Sequence, residues 1–144
     1  MNILFFLTPK EDVAYVSEAD SLRQVLEKME NHGYTAVPLL SKDGKYIGTI
    51  TEGDLLWAMK DMRFPAEKEL EKVRITSVKR RRDNQAVNIM ANMEDILEKV
   101  TNQNFVPVVD DNRVFIGIVT RKDILLFLAE KLKEKKINGR PQQG

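Results

Sequence analysis

A chain of 144 residues with 42% hydrophobic and 31% charged side chains has the make-up of a globular protein, either one domain or two halves too small to hold separate cores. Its 23 basic and 22 acidic groups leave a formal charge of +1, so no global field draws it to nucleic acid or membrane. The absence of cysteine and the single histidine, His32, exclude disulfides, thiolate nucleophiles and multi-histidine metal sites, and no metal or cofactor is expected.

In chain order, the apolar stretch Ile3 to Leu7 falls far short of the ~20 residues of a spanning helix and no basic leader precedes it, so a cytosolic chain without a membrane partner is expected. The first unit is expected to carry an N-terminal helix. A strand follows at Val13 to Val16, then Asp20-Ser21 as helix-cap candidates and Leu22, Val25, Leu26 and Met29 at helical spacing. Asn31-His32-Gly33 stops that helix. Ala36 to Leu40 reads as a strand whose Pro38 requires a sheet edge or a bulge. Asp43-Gly44 turns the chain into a second strand, which enters a helix at Thr51. Residues 65–84 form a charged connector, helical around Pro65 to Val73, with Lys79-Arg80-Arg81-Arg82 near its end. The pattern then restarts: a strand at Ala86 to Ile89, caps at Ala91-Asn92, apolar Met93, Ile96, Leu97 and Val100, a strand at Phe105 to Val109 containing Pro107, a turn at Asp111-Asn112, and a strand entering a helix at Thr120. The tail, 133–144, has no apolar period and is expected to fray.

The restart is a duplication. Gly48 to Met59, GTITEGDLLWAM, and Gly117 to Leu128, GIVTRKDILLFL, repeat Gly, Thr and Asp at one offset, 117 − 48 = 69. Val16 and Val87 begin an earlier match at 87 − 16 = 71, so two extra residues lie around Asn31 to Tyr34. The fold class is α+β, two β-α-β-β-α repeats spanning 1–64 and 85–132.

Thr51-x-x-Asp54 and Thr120-x-x-Asp123 admit two readings. Each is close to a capping box, with Thr as N-cap and Asp at N3. Each also opens a helix whose unpaired N–H groups suit a phosphate, with an aspartate one turn in that could accept from ribose hydroxyls.

Ala36-Val37-Pro38-Leu39-Leu40, Asp43-Gly44, Ile47-Gly48 and Thr51-x-x-Asp54, with Phe105-Val106-Pro107-Val108-Val109, Ile116-Gly117 and Thr120-x-x-Asp123, resemble the cystathionine β-synthase (CBS) domain pattern. Two in tandem resemble a Bateman module. The resemblance implies a pseudo-twofold pair with two clefts for adenosine-containing ligands. One would join Val13, Ala14, Val16, Tyr34, Thr35 and Ala36 to Thr120, Arg121, Lys122 and Asp123. The mirror cleft would join Gln85, Ala86, Asn88, Asn104, Phe105 and Val106 to Thr51, Glu52 and Asp54. Arg121-Lys122 stand where the other copy has Glu52-Gly53. Unit charges ~4 Å apart at an effective dielectric near 20 interact by about 4 kcal/mol, which favours the Arg121 cleft for phosphate.

Asp12 to Val16, Gly33 to Pro38 and Val114 to Arg121 are similar to the small stand-alone CBS proteins of Gram-positive bacteria that bind cyclic di-AMP. That similarity implies a homodimer, a basic dipeptide gripping phosphate, and a regulated partner such as a stringent-response synthetase. Asp123 departs from it, since a carboxylate suits free ribose hydroxyls, and so AMP, ADP or ATP stands as the alternative ligand. Tyr34 reads either as a purine stack or as a cover for the core.

Ile124 to Leu128 and Leu55 to Met59 are runs of five apolar residues that wrap most of a helix, so a twofold dimer through these helices is expected, the alternative being that the two repeats bury these faces against each other within one chain. Lys79 to Arg82 admits a weak nucleic-acid reading, although no aromatic residues interleave with it. Catalysis is not expected: no nucleophile, base and orienting group come together, and His32 is explained by a helix end.

Overall fold

The computed structural model describes residues 2–138. A 3-10 turn (Ile3–Phe6) leads into the two-residue strand β1 (Thr8–Pro9). The first repeat is β2 (Val16–Ser17), α1 (Leu22–His32), β3 (Ala36–Leu40), β4 (Tyr46–Thr51) and α2 (Glu52–Asp61). The connector holds α3 (Glu67–Leu70) and a 3-10 turn (Ile75–Ser77). The second repeat is β5 (Val87–Asn88), α4 (Met93–Val100), β6 (Phe105–Val109), β7 (Phe115–Thr120) and α5 (Arg121–Asn138). The sheets run β2-β3-β4 and β1-β7-β6-β5, so each repeat forms its own α+β layer.

The strands predicted at Val13 to Val16 and Ala86 to Ile89 pair over two residues only. β2 meets Leu39 and Leu40, and β5 meets Val108 and Val109, both in parallel. Pro38 and Pro107 therefore have no neighbour on that side, and each strand shifts register one or two residues later. Ser21 and Asn92 are the true caps. Each accepts from the N3 backbone N–H while the N3 side chain accepts in return, at 3.1 and 2.8 Å for Ser21 with Gln24 and 2.9 and 3.3 Å for Asn92 with Asp95. Gly33 takes the left-handed conformation (φ 66°) that ends α1. The connector helix is shorter than the predicted Pro65 to Val73. Val73 O and Ile75 N are spent on Leu22 N and Asp20 O, at 2.8 and 3.0 Å, which pulls the chain out of helical geometry.

The two cores exchange end segments. Ile3 and Phe6, expected with the first unit, lie in the second repeat's core with Val106, Val119 and Ile124, and Phe6 packs edge-on against Phe127 with ring centroids 4.9 Å apart. In return Leu70, Ile75 and Val78 of the connector complete the first core around Val37, Ile50 and Leu55. β1 crosses to reach β7, with Pro9 opposite Gly117. Only glycine fits there, because a Cβ at 117 would overlap the Thr8 carbonyl oxygen. A third cluster, Leu40, Tyr46, Val109 and Phe115, joins the halves beside the bonds Tyr46 N to Arg113 O and Phe115 N to Gly44 O (3.3 and 2.9 Å). The halves thus share one folding unit.

The fraying predicted from Lys133 does not begin there, since α5 continues to Asn138; residues 139–144 of that tail lie outside the described ones. Among the described residues no helix is long and apolar enough to cross a membrane.

Candidate functional site

β3 and β6 begin next to one another, and the segment that precedes β2 closes over them together with Thr8 of β1 and Ile118 and Thr120 of β7. The result is a cleft of about 330 Å³ between the repeats. Val13, Ala14, Tyr34, Thr35, Ala36 and Thr120 line it, six of the ten residues predicted for the first cleft. Val16 does not: it is fully buried in the first core, because its two-residue strand turns it inward. Tyr34 stands at the rim, 44% exposed and stacked on His32 with planes 8° apart.

Arg121, Lys122 and Asp123 lie beyond Thr120 at the start of α5. Arg121 Nε donates to the Val100 carbonyl at 2.7 Å, satisfying the C-terminal end of α4, while its backbone N–H bonds the carbonyl of Asn104, itself a cleft residue. Lys122 is exposed. Thr120 Oγ1 accepts from Asp123 N at 3.1 Å, but the half-buried Asp123 carboxylate accepts no bond among the described residues. One half of a capping box is made here and the other is left free.

The mirror position is built differently. Asp54 is 1% exposed and bonded on both carboxylate oxygens: Oδ2 accepts from Thr51 N (3.0 Å), Oδ1 from Arg81 N (3.0 Å), and Thr51 Oγ1 accepts from Asp54 N (3.1 Å). The ribose-facing role predicted for Asp54 does not fit this burial, since both oxygens face main-chain N–H groups rather than a cleft. Gln103 fills the space between, its Nε2 donating to the carbonyls of Gln85 and Phe105 (both 3.1 Å) and its Oε1 accepting from Gln85 N (2.8 Å). Asn84 Nδ2 also donates to Phe105 O (3.1 Å), and Asp83 accepts from Thr49 N and Arg80 (2.9 and 2.8 Å) against Gly48. Of the residues predicted for this cleft, Val106 is fully buried, Asn88 donates to Asp111 (2.9 Å), Gln85 is exposed and Ala86 packs between the halves. Thr51, Glu52 and Asn104 border a shallow depression of about 360 Å³. Asn104 and Phe105 also line the open cleft, so the structure brings them to the first site.

Sequence reasoning missed Thr8, Asp12, Pro38 and Ile118 in that cleft. Asp12 had a signal, for Asp83 repeats it at 83 − 12 = 71; Thr8 and Ile118 come together only because β1 crosses to β7. The cationic run Lys79 to Arg82 is not a continuous track. Arg80 pairs with Asp83 at 2.8 Å and Arg81 stacks on Trp57, 4.8 Å from the ring centroid.

Paired β-α-β-β-α layers meeting across such a cleft, each closed by Thr-x-x-Asp, define a tandem CBS-domain pair. The chain belongs to the CBS-domain family, whose model matches residues 6–61 and 77–130. It is 27% identical over 133 residues to the cyclic di-AMP receptor B of Bacillus subtilis, covering 89% of this chain and 86% of that one. Its fold matches the structure of the CbpB protein of Listeria monocytogenes in complex with cyclic di-AMP at a TM-score of 0.80 and 26% identity, over 91% of this chain and 97% of that one. A further CbpB–cyclic di-AMP complex matches at 0.84 and 27%, over 96% and 91%. The chain also matches longer proteins. It spans 44% of an uncharacterized protein of Methanocaldococcus jannaschii (31% identical over 130 residues, 82% of this chain), and 23% and 21% of two archaeal enzymes, a homoserine O-acetyltransferase and an inosine-5′-monophosphate dehydrogenase.

Proposed function

We propose that this chain is a non-catalytic regulatory module that binds one adenine-containing nucleotide, cyclic di-AMP foremost, in the cleft between Val13-Ala14, Tyr34-Thr35-Ala36 and Thr120. The observation that carries the reading is the asymmetry of the two pseudo-equivalent positions. One is an open cleft with apolar walls and backbone edges, at the small end of the roughly 300–1,000 Å³ of ligand sites; at the other Asp54, Gln103 and Asn84 are already satisfied by protein. A flat purine fits between Ala14, Ala36 and Phe105, with Tyr34 closing over it. Arg121 is the phosphate ligand. A neutral carbonyl holds it in the free protein, and a phosphate is the stronger acceptor, so binding moves the guanidinium from Val100 toward the cleft. Release of the α4 terminus couples occupancy to that helix. The names of the receptor B and CbpB relatives support cyclic di-AMP. The free Asp123 carboxylate favours a second reading, AMP, ADP or ATP with unesterified ribose hydroxyls.

Dimerisation is part of the proposal. Leu125, Leu126, Leu128 and Leu132 on α5 and Leu56 on α2 are 57%, 55%, 38%, 67% and 51% exposed, an apolar surface that a second copy would cover before a partner protein reads the ligand state.

A melting screen tests this. Cyclic di-AMP is expected to raise Tm, by roughly 2.7 kcal/mol of stabilisation at a hundredfold excess over Kd. AMP and ATP report the alternative and cyclic di-GMP is the control. Arg121→Ala abolishes the shift and Glu52→Ala leaves it. A screen in which no adenine nucleotide moves Tm sinks the proposal; equal loss from both variants sinks the cleft assignment.

A further inference from the structure

The duplication allows the molecule to be compared with itself away from the nucleotide cleft. In one half Phe6 and Phe127 fill the space between α5 and the N-terminal turn. In the other, 127 − 69 = 58 places Ala58 at the position of Phe127, and the turn that answers Ile3–Phe6 is Ile75–Ser77, which brings no ring. The space is left as an open groove of about 710 Å³ between α2 and the connector, with Ala58, Met62, Val73 and Val78 as its apolar lining.

The rim is cationic and carries the chain's single tryptophan. Trp57 is 39% exposed, with the Arg81 guanidinium 4.8 Å and the Lys60 ammonium 5.4 Å from its ring centroid. Lys79 and Arg81 are exposed on the same groove. Its carboxylates are Asp61 and the buried Asp54, whose oxygens are spent on backbone N–H groups.

We propose that this groove docks an acidic segment of a partner protein, which inserts one aromatic side chain where the other repeat keeps its own phenylalanine and sets carboxylates against Lys79 and Arg81. Three features favour that occupant. The hole stands at the place a phenylalanine pair fills in the sister repeat, so an aromatic side chain matches its shape and lining. A guanidinium stacked on a ring keeps its in-plane N–H donors oriented for a carboxylate, and Trp and Arg are the residues that dominate protein interfaces. Single-stranded nucleic acid, by contrast, uses successive stacking platforms along an unbroken basic groove. Here one ring is present, and Asp61 and the Arg80–Asp83 pair interrupt the charge.

The lone tryptophan makes the test direct, and it is done on the full chain without nucleotide. Addition of acetylated, amidated Asp-Glu-Phe-Glu-Asp is expected to shift Trp57 emission saturably, and a peptide with Ser at the centre or Lys at the flanks is expected not to. Arg81→Ala weakens binding by about tenfold, one charge-assisted pair. Ala58→Phe, which fills the groove from within, keeps the wild-type circular dichroism and loses the response. Leu126→Ala on α5 retains it. The proposal is overturned by an emission that no peptide changes, by unaltered affinity in Ala58→Phe, or by an oligothymidylate that binds Trp57 more tightly than the phenylalanine peptide.

Discussion

Tyr46 shows at the scale of one residue how the wall of the mirror position is braced. Its hydroxyl donates to Asn84 O at 2.6 Å and lies 2.7 Å from Thr49 Oγ1, at 6% exposure. Burial pushes its pKa from 10 up to about 12. The folded state therefore keeps a proton that the unfolded chain gives up near pH 10, so this contribution is complete below pH 10 and disappears as pH rises through 12. The difference amounts to about 3 kcal/mol. Stability measured by denaturant is expected to fall between these limits in the wild type and to fall less in Tyr46→Phe; parallel pH profiles would contradict the assignment. Gln103 acts on the same wall, and Gln103→Ala, which removes the side-chain partner of Gln85 N and Gln85 O and one of the two side-chain donors to Phe105 O, is expected to cost about 1–3 kcal/mol. None of this was legible in the sequence, where Gln103 and Asn84 are two more polar residues beside loops. Their roles arise because the second repeat's entry segment is folded onto β4 of the first.

Among elements, the helices were the most legible, since caps are local chemistry. Ser21, Thr51, Asn92 and Gly33 do what their spacing predicts. Thr51→Val is expected to remove about 1 kcal/mol of stability, read as a lower denaturation midpoint. Gly53 is the second residue of α2, with only Thr51 Oγ1 near its missing Cβ, at 3.7 Å; Gly53→Ala should add about 0.5 kcal/mol, whereas Gly117→Ala should destabilise by collision with β1. A rise in Tm for both would contradict the packing described around Gly117. The short parallel strands were overextended from sequence because Val13, Tyr15 and Ala86 leave the ladder to join the halves, so that only Val16–Ser17 and Val87–Asn88 pair. Their hydrophobicity is spent on the inter-repeat cluster rather than on the sheet.

For the whole molecule, the duplication made the architecture legible while hiding its asymmetry. Two near-identical Thr-x-x-Asp motifs diverge in three dimensions: Asp54 locks a backbone and Asp123 stays available. Part of the difference lies in the connector, where Arg81 N reaches Asp54 Oδ1; no motif records that contact. Likewise the exchange of end segments between cores depends on long-range packing that no local period reveals. Apolar positions on α2 and α5 that the first two layers leave uncovered carry the proposal of a dimer, under which Leu125→Glu with Leu132→Glu is expected to give a folded monomer by light scattering where the wild type gives a dimer.

Isothermal titration of cyclic di-AMP into the full chain tests the asymmetry most directly, with Ala14→Trp to obstruct the open cleft and Glu52→Ala as control. One ligand per chain is predicted for the wild type and Glu52→Ala, and none for Ala14→Trp. Two ligands per chain, or undiminished binding by Ala14→Trp, would contradict the account.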